Sequence, residues 1–244
     1  MRISGNTVLI TGGGTGIGLA LAEALVRLGN EVIICGRRRD RLQAAKKRLP
    51  GIHIRVCDVS KARSRHALVD WLLSGFGPLN VLVNNAGIQR QVNFLKGAGD
   101  LGAADEEIAT NLMAPLHLSA QLLPHLRRKK EAAIVNISSG LAFTPLALVP
   151  VYCATKAAVH SWSVSLRHQL RKTSVRVFEV APPIVATGLS GRRGRADDAA
   201  HVMSAEAVAA GIVSALQDNR YQVALGAAAN LLAQREALFP VINQ

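Results

Sequence analysis

Residues 7 to 29, TVLITGGGTGIGLALAEALVRLG, carry the reading that decides the fold. TVLI at 7–10 is a short apolar run rich in β-branched residues, and GLALAEALVRLG at 18–29 sets apolar residues at helical spacing. Between them TGGGTGIG, residues 11 to 18, is too rich in glycine for either element and reads as a tight turn. Strand, glycine turn and helix in that order open a βαβ unit. The glycines let the backbone approach a pyrophosphate, while the free N–H groups at the start of the helix favour its negative charge. Thr11, Gly12, Gly14, Thr15, Gly16, Ile17 and Gly18 are therefore candidate dinucleotide contacts, although the same turn also suits a flavoenzyme or a methyltransferase.

The alternation continues along the chain. EVIIC (31–35), IHIRVC (52–57), NVLVN (80–84), AAIVNIS (132–138), VRVFEV (175–180) and YQVAL (221–225) read as strands, separated by helical patterns such as ARSRHALVDWLLSGF (62–76). Seven strands alternating with helices predict an α/β, doubly wound parallel sheet of the Rossmann type. No linker, repeat or low-complexity tract divides residues 1 to 244, so a single domain is expected. In such sheets ligands gather at the carboxyl ends of the strands. There the second strand is followed by Arg37, Arg38 and Arg39 in place of the acidic residue that would bind a ribose 2′-hydroxyl. Arginine forks match a 2′-phosphate bidentately, so Arg37 and Arg38 favour NADP(H) over NAD(H).

With 29 Lys and Arg against 16 Asp and Glu, the net charge of +13 would suit a nucleic-acid or anionic-membrane partner. The basic clusters are dispersed over helix ends and loops without interleaved aromatics, which favours a solvated surface and no nucleic-acid partner. Cys35, Cys57 and Cys153 form no C-x-x-C pair and the seven histidines no metal-binding cluster, so a reduced cytoplasmic protein without a metal is expected. No apolar run approaches the length of a membrane span.

Tyr152 and Lys156, in YCATKAAVHSW, stand four residues apart and share one face of a helix. With the glycine turn, NNAG at 84–87, Ser139 and this Tyr-x-x-x-Lys in order, nearly the whole chain resembles the short-chain dehydrogenase/reductase family in its compact single-domain branch. A narrower likeness, in CGRR, NNAGIQR, APPIVAT and a terminal IN, is to its DltE-like members. The resemblance implies a catalytic tetrad of Asn111, Ser139, Tyr152 and Lys156. It implies adenine contacts at Asp58 and Val59, cofactor contacts at Asn85, Ala86 and Gly87, and a homodimer or homotetramer. Tyr152 would act as general acid/base on a small alcohol or carbonyl substrate, its pKa lowered by the Lys156 ammonium and an oxidised nicotinamide. Lys156 would also hold the nicotinamide ribose, Ser139 the substrate oxygen, and Asn111 a water leading to Lys156.

One departure stands out. Where the family carries Pro-Gly after the sixth strand, this chain has Pro182-Pro183, so the loop bearing the nicotinamide contacts Pro182, Val185 and Thr187 must take another path. A substrate lid is expected at about 187–203. The same residues would serve a catalytically idle dinucleotide-binding regulator, which is the alternative reading.

Overall fold

The computed structural model describes residues 1–189 and 202–243. The elements run β1 (Thr7–Thr11), α1 (Gly16–Arg27), β2 (Glu31–Gly36), α2 (Arg39–Arg48), β3 (His53–Val56), α3 (Ala62–Gly75) and β4 (Leu79–Asn84). They continue as α4 (Ala104–Ile108), α5 (Ala114–Leu126), β5 (Ala132–Ile137), α6 (Pro150–Leu170), β6 (Val175–Ala181), α7 (Ala205–Gln217), β7 (Gln222–Ala224), α8 (Ala228–Gln234) and α9 (Phe239–Ile242). All seven expected strands form, and they join one parallel sheet in the order β3-β2-β1-β4-β5-β6-β7. The order reverses between β1 and β4, which leaves a crevice above the carboxyl ends of those two strands.

The sheet is covered on both sides, which explains why β1, β4 and β5 are buried at every position. Alternation along each strand sorts the side chains into two cores. Val8, Ile10, Val32, Ile34, Val81 and Val83 meet α1, α2 and α7 on one face, while Leu9, Ile33, Leu82 and Ile134 meet α3, α5 and α6 on the other. Helix α1 ends where Gly29 takes φ +78°, a left-handed conformation suited to glycine, and its N–H bonds to the Val26 carbonyl. Asn30 then turns the chain into β2 by donating to the carbonyls of Leu25 and Ile3 at 2.9 and 2.8 Å.

Most of the expected lid, residues 190–201, lies outside the described residues. Its flanks meet: Val185 pairs with Met203 in a parallel bridge, closed by Ala186 N–H to Met203 O and Met203 N–H to Ile184 O, each 3.0 Å. Among the described residues no helix is long and apolar enough to cross a membrane.

Candidate active site

The glycine turn is a shaped cradle. Gly12 and Gly16 have φ of +66° and +55°, and a Cβ on Gly12 would stand 2.9 Å from the Ala86 backbone. A Cβ on Gly18 would meet the Gly12 carbonyl and the Asn85 amide at 2.6 Å, so α1 is pressed against the turn that precedes it. Thr15, at the start of α1, makes no side-chain capping bond, and no acidic residue occupies the first turn. The leading N–H groups of a twelve-residue helix thus face the crevice without a side-chain partner, and the site fits a dinucleotide pyrophosphate.

Thr11 ties this turn to NNAG. Its hydroxyl accepts from the N–H groups of Asn85 and Ala86, both at 3.0 Å, and donates to Val83 O at 3.3 Å. The Asn85 side chain donates back to Thr11 O at 2.9 Å. Beside it, Asn84 and Asn136 bond across β4 and β5 at 2.9 Å inside the core. On the other flank Asp58 closes its own turn by accepting from the Ser60 N–H and hydroxyl at 3.0 and 2.7 Å. The buried Arg65 guanidinium holds the Val59 carbonyl at 2.7 Å.

The two arginines expected at a 2′-phosphate diverge. Arg38 reaches Thr15 Oγ1 at 3.4 Å, over the glycine turn, whereas Arg37 forms an ion pair with Glu106 of α4. Glu106 also meets Arg90 at 3.4 Å, and these cations, Arg37 foremost, hold its carboxyl below the usual range.

Asn111 sits in a single π-helical turn, Ala109–Met113, which inserts one extra residue between α4 and α5. Its amide clasps the Ile88 backbone, donating to the carbonyl and accepting from the N–H at 2.8 Å each, and donates to Thr155 Oγ1 at 3.2 Å. The absent side chain of Gly87 leaves a space bounded by Asn111 Oδ1 and Lys156 Nζ, 3.4 and 3.7 Å from where a Cβ would be. One residue escaped the sequence reading. Glu107, fully buried, accepts from Arg90 N–H at 3.2 Å, and its Oε2 has no hydrogen-bond partner among the described residues. Burial raises its pKa, and it couples electrostatically to both Lys156 and Tyr152. Its signal was the acidic run Asp105-Glu106-Glu107 one turn ahead of Asn111.

Ser139, Tyr152 and Lys156 come together at the carboxyl end of β5. Lys156 Nζ lies 5.6 Å from the Tyr152 ring centroid and donates to Ile137 O at 2.8 Å. Ser139 lies close enough to the phenol to favour its ionised form, and accepts from Leu141 N–H at 3.1 Å. Ser138 points the other way, as strand alternation requires, and donates to the buried Glu179 at 2.7 Å. The expected lowering of the Tyr152 pKa does not hold in the protein alone. Burial pushes the phenol up to about 12, outweighing the opposing influence of Ser139, and pushes Lys156 down to about 8. Desolvation opposes both charged forms, and it wins because both groups are almost wholly buried.

The double proline leaves the loop in register with the site. The Pro182 carbonyl accepts from Gly140 N–H at 2.9 Å, next to Ser139. Val185 is buried, and Thr187 comes down on the cradle, its methyl 3.0 Å from where a Cβ on Gly16 would be. Among the described residues no group of three His, Cys, Asp or Glu side chains is placed to hold a metal.

The short chain dehydrogenase family matches residues 6–198. The chain is 59% identical over 190 residues to DltE of Bacillus subtilis, an uncharacterized oxidoreductase, covering 78% of this chain and 75% of that one. It is 35% identical over 197 residues to the NADP-dependent 3-hydroxy acid dehydrogenase YdfG of Salmonella typhi, covering 78% and 77%. A Sphingobium yanoikuyae short-chain dehydrogenase in complex with NADPH superposes with a TM-score of 0.80 at 28% identity, covering 90% and 87%. The likeness in fold extends to a Burkholderia phymatum enzyme in complex with NAD, at a TM-score of 0.86 and 22% identity over 100% and 97% of the two chains. With the family's sequence pattern matched over residues 6–198 and 59% identity to an oxidoreductase over most of its length, the chain belongs to the short-chain dehydrogenase/reductase family of oxidoreductases.

Proposed function

We propose that the protein is an NADP(H)-dependent oxidoreductase that interconverts a secondary alcohol and a ketone, with Tyr152 as general acid/base. The observation that carries the proposal is the Lys156 ammonium standing 5.6 Å from the Tyr152 ring, on the same face of α6. When bound, the nicotinamide supplies or accepts the hydride at the substrate carbon. The chain's own part is to hold the dinucleotide and to move the proton.

Residues 11–18 and 85–87 would hold the pyrophosphate and nicotinamide halves, Asp58 and Val59 the adenine, and Pro182, Val185 and Thr187 the far side of the nicotinamide. Arg37 and Arg38 would take the 2′-phosphate, a reading supported by the NADP dependence named for the Salmonella relative. Tyr152, neutral with a pKa of about 12, is poised to donate to an oxygen that gains charge in reduction. In oxidation it must first ionise, which requires the positive charge of Lys156 and of an oxidised nicotinamide. Ser139 would bond the same oxygen, and Lys156 would also hold the nicotinamide ribose. Asn111 and Lys156 border the space under Gly87 through which the phenol would regain its proton.

A cavity of about 920 Å³, lined mainly by apolar side chains such as Leu141, Phe143, Leu146 and Phe239 but also by Asn93 and Glu236, adjoins this group and favours a largely apolar substrate with a polar group. Self-association would use the face where Ala154 of α6 lies beside the exposed Phe94 and Ile108. The test is NADPH oxidation across a panel of ketones, aldehydes and quinones, with Tyr152→Phe in parallel. Turnover of a ketone that falls by about two to four orders of magnitude in the variant is expected. A variant as active as its parent would remove the acid/base assignment.

A further inference from the structure

The Arg37–Glu106–Arg90 bridge lies where the cofactor reading places the 2′-phosphate. Arg37 directly follows β2, and Arg90 lies six residues beyond the end of β4. These strands flank β1 on opposite sides. A link between their extensions must cross about two strand spacings, roughly 10 Å, above the carboxyl end of β1. That is the crevice at the reversal of strand order, over the glycine turn. The carboxylate is held there from its own side. Ile88 is clasped by Asn111, and Arg90 N–H donates to Glu107, so the segment carrying Arg90 is pinned to the helix carrying Glu106. Glu106 presents two oxygens to two guanidinium groups, Oε1 to Arg37 and Oε2 to Arg90, as an anionic phosphate would. Arg38 remains on Thr15.

We propose that Glu106 is a built-in counter-ion that occupies Arg37 in the absence of cofactor, so that NADP(H) must displace its carboxylate to seat a 2′-phosphate and Glu106 thereby sets NADP(H)-versus-NAD(H) selectivity. This rests on the assignment of Arg37 to the 2′-phosphate. The carboxylate competes with the phosphate for one cation and repels it besides, whereas a ribose hydroxyl has no such rival. Arg37 and Arg90 are about half exposed and Glu106 about a third, so the competition is that of a partly solvated ion pair and weakens with salt.

The test is equilibrium binding of NADPH and NADH, followed by nicotinamide fluorescence, to the parent, Glu106→Gln, Arg37→Ala, the Glu106→Gln/Arg37→Ala double variant and Arg38→Ala at low and moderate salt. Glu106→Gln is expected to tighten NADPH binding by about two- to five-fold at low salt, with NADH unchanged. In the Arg37→Ala background the same change should give NADPH a clearly smaller gain, from relief of direct repulsion alone, and NADH none. Weaker NADPH binding in Glu106→Gln would mean that Glu106 positions Arg37 and does not compete for it, and would overturn the proposal. An equal gain for both cofactors would mean a strap that merely narrows the crevice, with the same consequence. If Arg37→Ala leaves NADPH binding intact while Arg38→Ala weakens it, the cofactor preference stands through Arg38 and the role of Glu106 falls alone.

Discussion

Replacing Lys156 with methionine is expected to stabilise the protein while abolishing turnover. The side chain is 4% exposed, and burial lowers its pKa from 10.5 to about 8, so at pH 7 the fold carries an ammonium it disfavours. At about 1.4 kcal/mol per tenfold in the proton equilibrium, holding that charge costs roughly 3 kcal/mol at pH 7. Methionine has a similar length and no charge, but it leaves Ile137 O without the donor now 2.8 Å away. An unpaired buried carbonyl costs about 1–2 kcal/mol, so the net gain is about 1–2 kcal/mol, or roughly 2–8 °C in Tm for a chain of this size. The sign of the pH dependence distinguishes this cause from better packing. Below pH 8 lysine is protonated in both folded and unfolded chains, and the whole cost applies. From pH 8 to 10.5 the unfolded chain binds more protons, so the parent gains stability as pH rises. Urea unfolding at pH 7 and pH 9.5 should therefore show the advantage of Lys156→Met shrinking by about 2 kcal/mol, to nothing or slightly below. A variant less stable than the parent at pH 7, or a gap that does not change with pH, would refute the reasoning that burial of this charge is what strains the site.

Thr11→Val keeps the shape of the side chain but removes the acceptor shared by Asn85 and Ala86 N–H. It should lower unfolding stability by about 2–4 kcal/mol in urea titration, and a loss below about 0.5 kcal/mol would mean that water replaces the hydroxyl. The Tyr152 phenol, at about 12, should remain protonated in the protein alone beyond pH 10, as read from the phenolate absorbance difference between the parent and Tyr152→Phe. Saturating NADP+ should bring that absorbance to lower pH through the added positive charge. Ionisation at or below pH 10 without cofactor would contradict the dominance of burial.

The features legible in the sequence were the local ones. Each strand announced itself by a β-branched run, the glycine turn by its position between strand and helix, and the Tyr152–Lys156 pairing by helical spacing, since i and i+4 share a face whatever surrounds them. The sign of the Tyr152 shift was not legible, because it is a sum over everything packed around the ring. Val149, Cys153, Leu141 and Leu146 enclose it, and they are recruited from the β5–α6 connection and from α6 itself. Nor could the occupation of Arg37 be read, since Glu106 lies 69 positions away and meets it only because β2 and β4 flank the same strand. Glu107 was hidden for a similar reason. An acidic run at a helix start ordinarily faces water, and only the packing of α4 against α6 turns this one carboxyl inward.

These tertiary effects act in one direction. Burial disfavours the charged form of Tyr152, Lys156 and Glu107 alike, and Glu107 acts electrostatically on the other two. An ionised Glu107 would support the Lys156 ammonium but oppose a Tyr152 phenolate. The oxidised nicotinamide of the proposed reaction would add positive charge to that of Lys156. On the proposed role, a neutral reduced ring leaves Tyr152 protonated and able to serve only as the acid, whereas a cationic oxidised ring would be needed for it to serve as the base, so the direction of proton movement would follow the oxidation state of the nicotinamide.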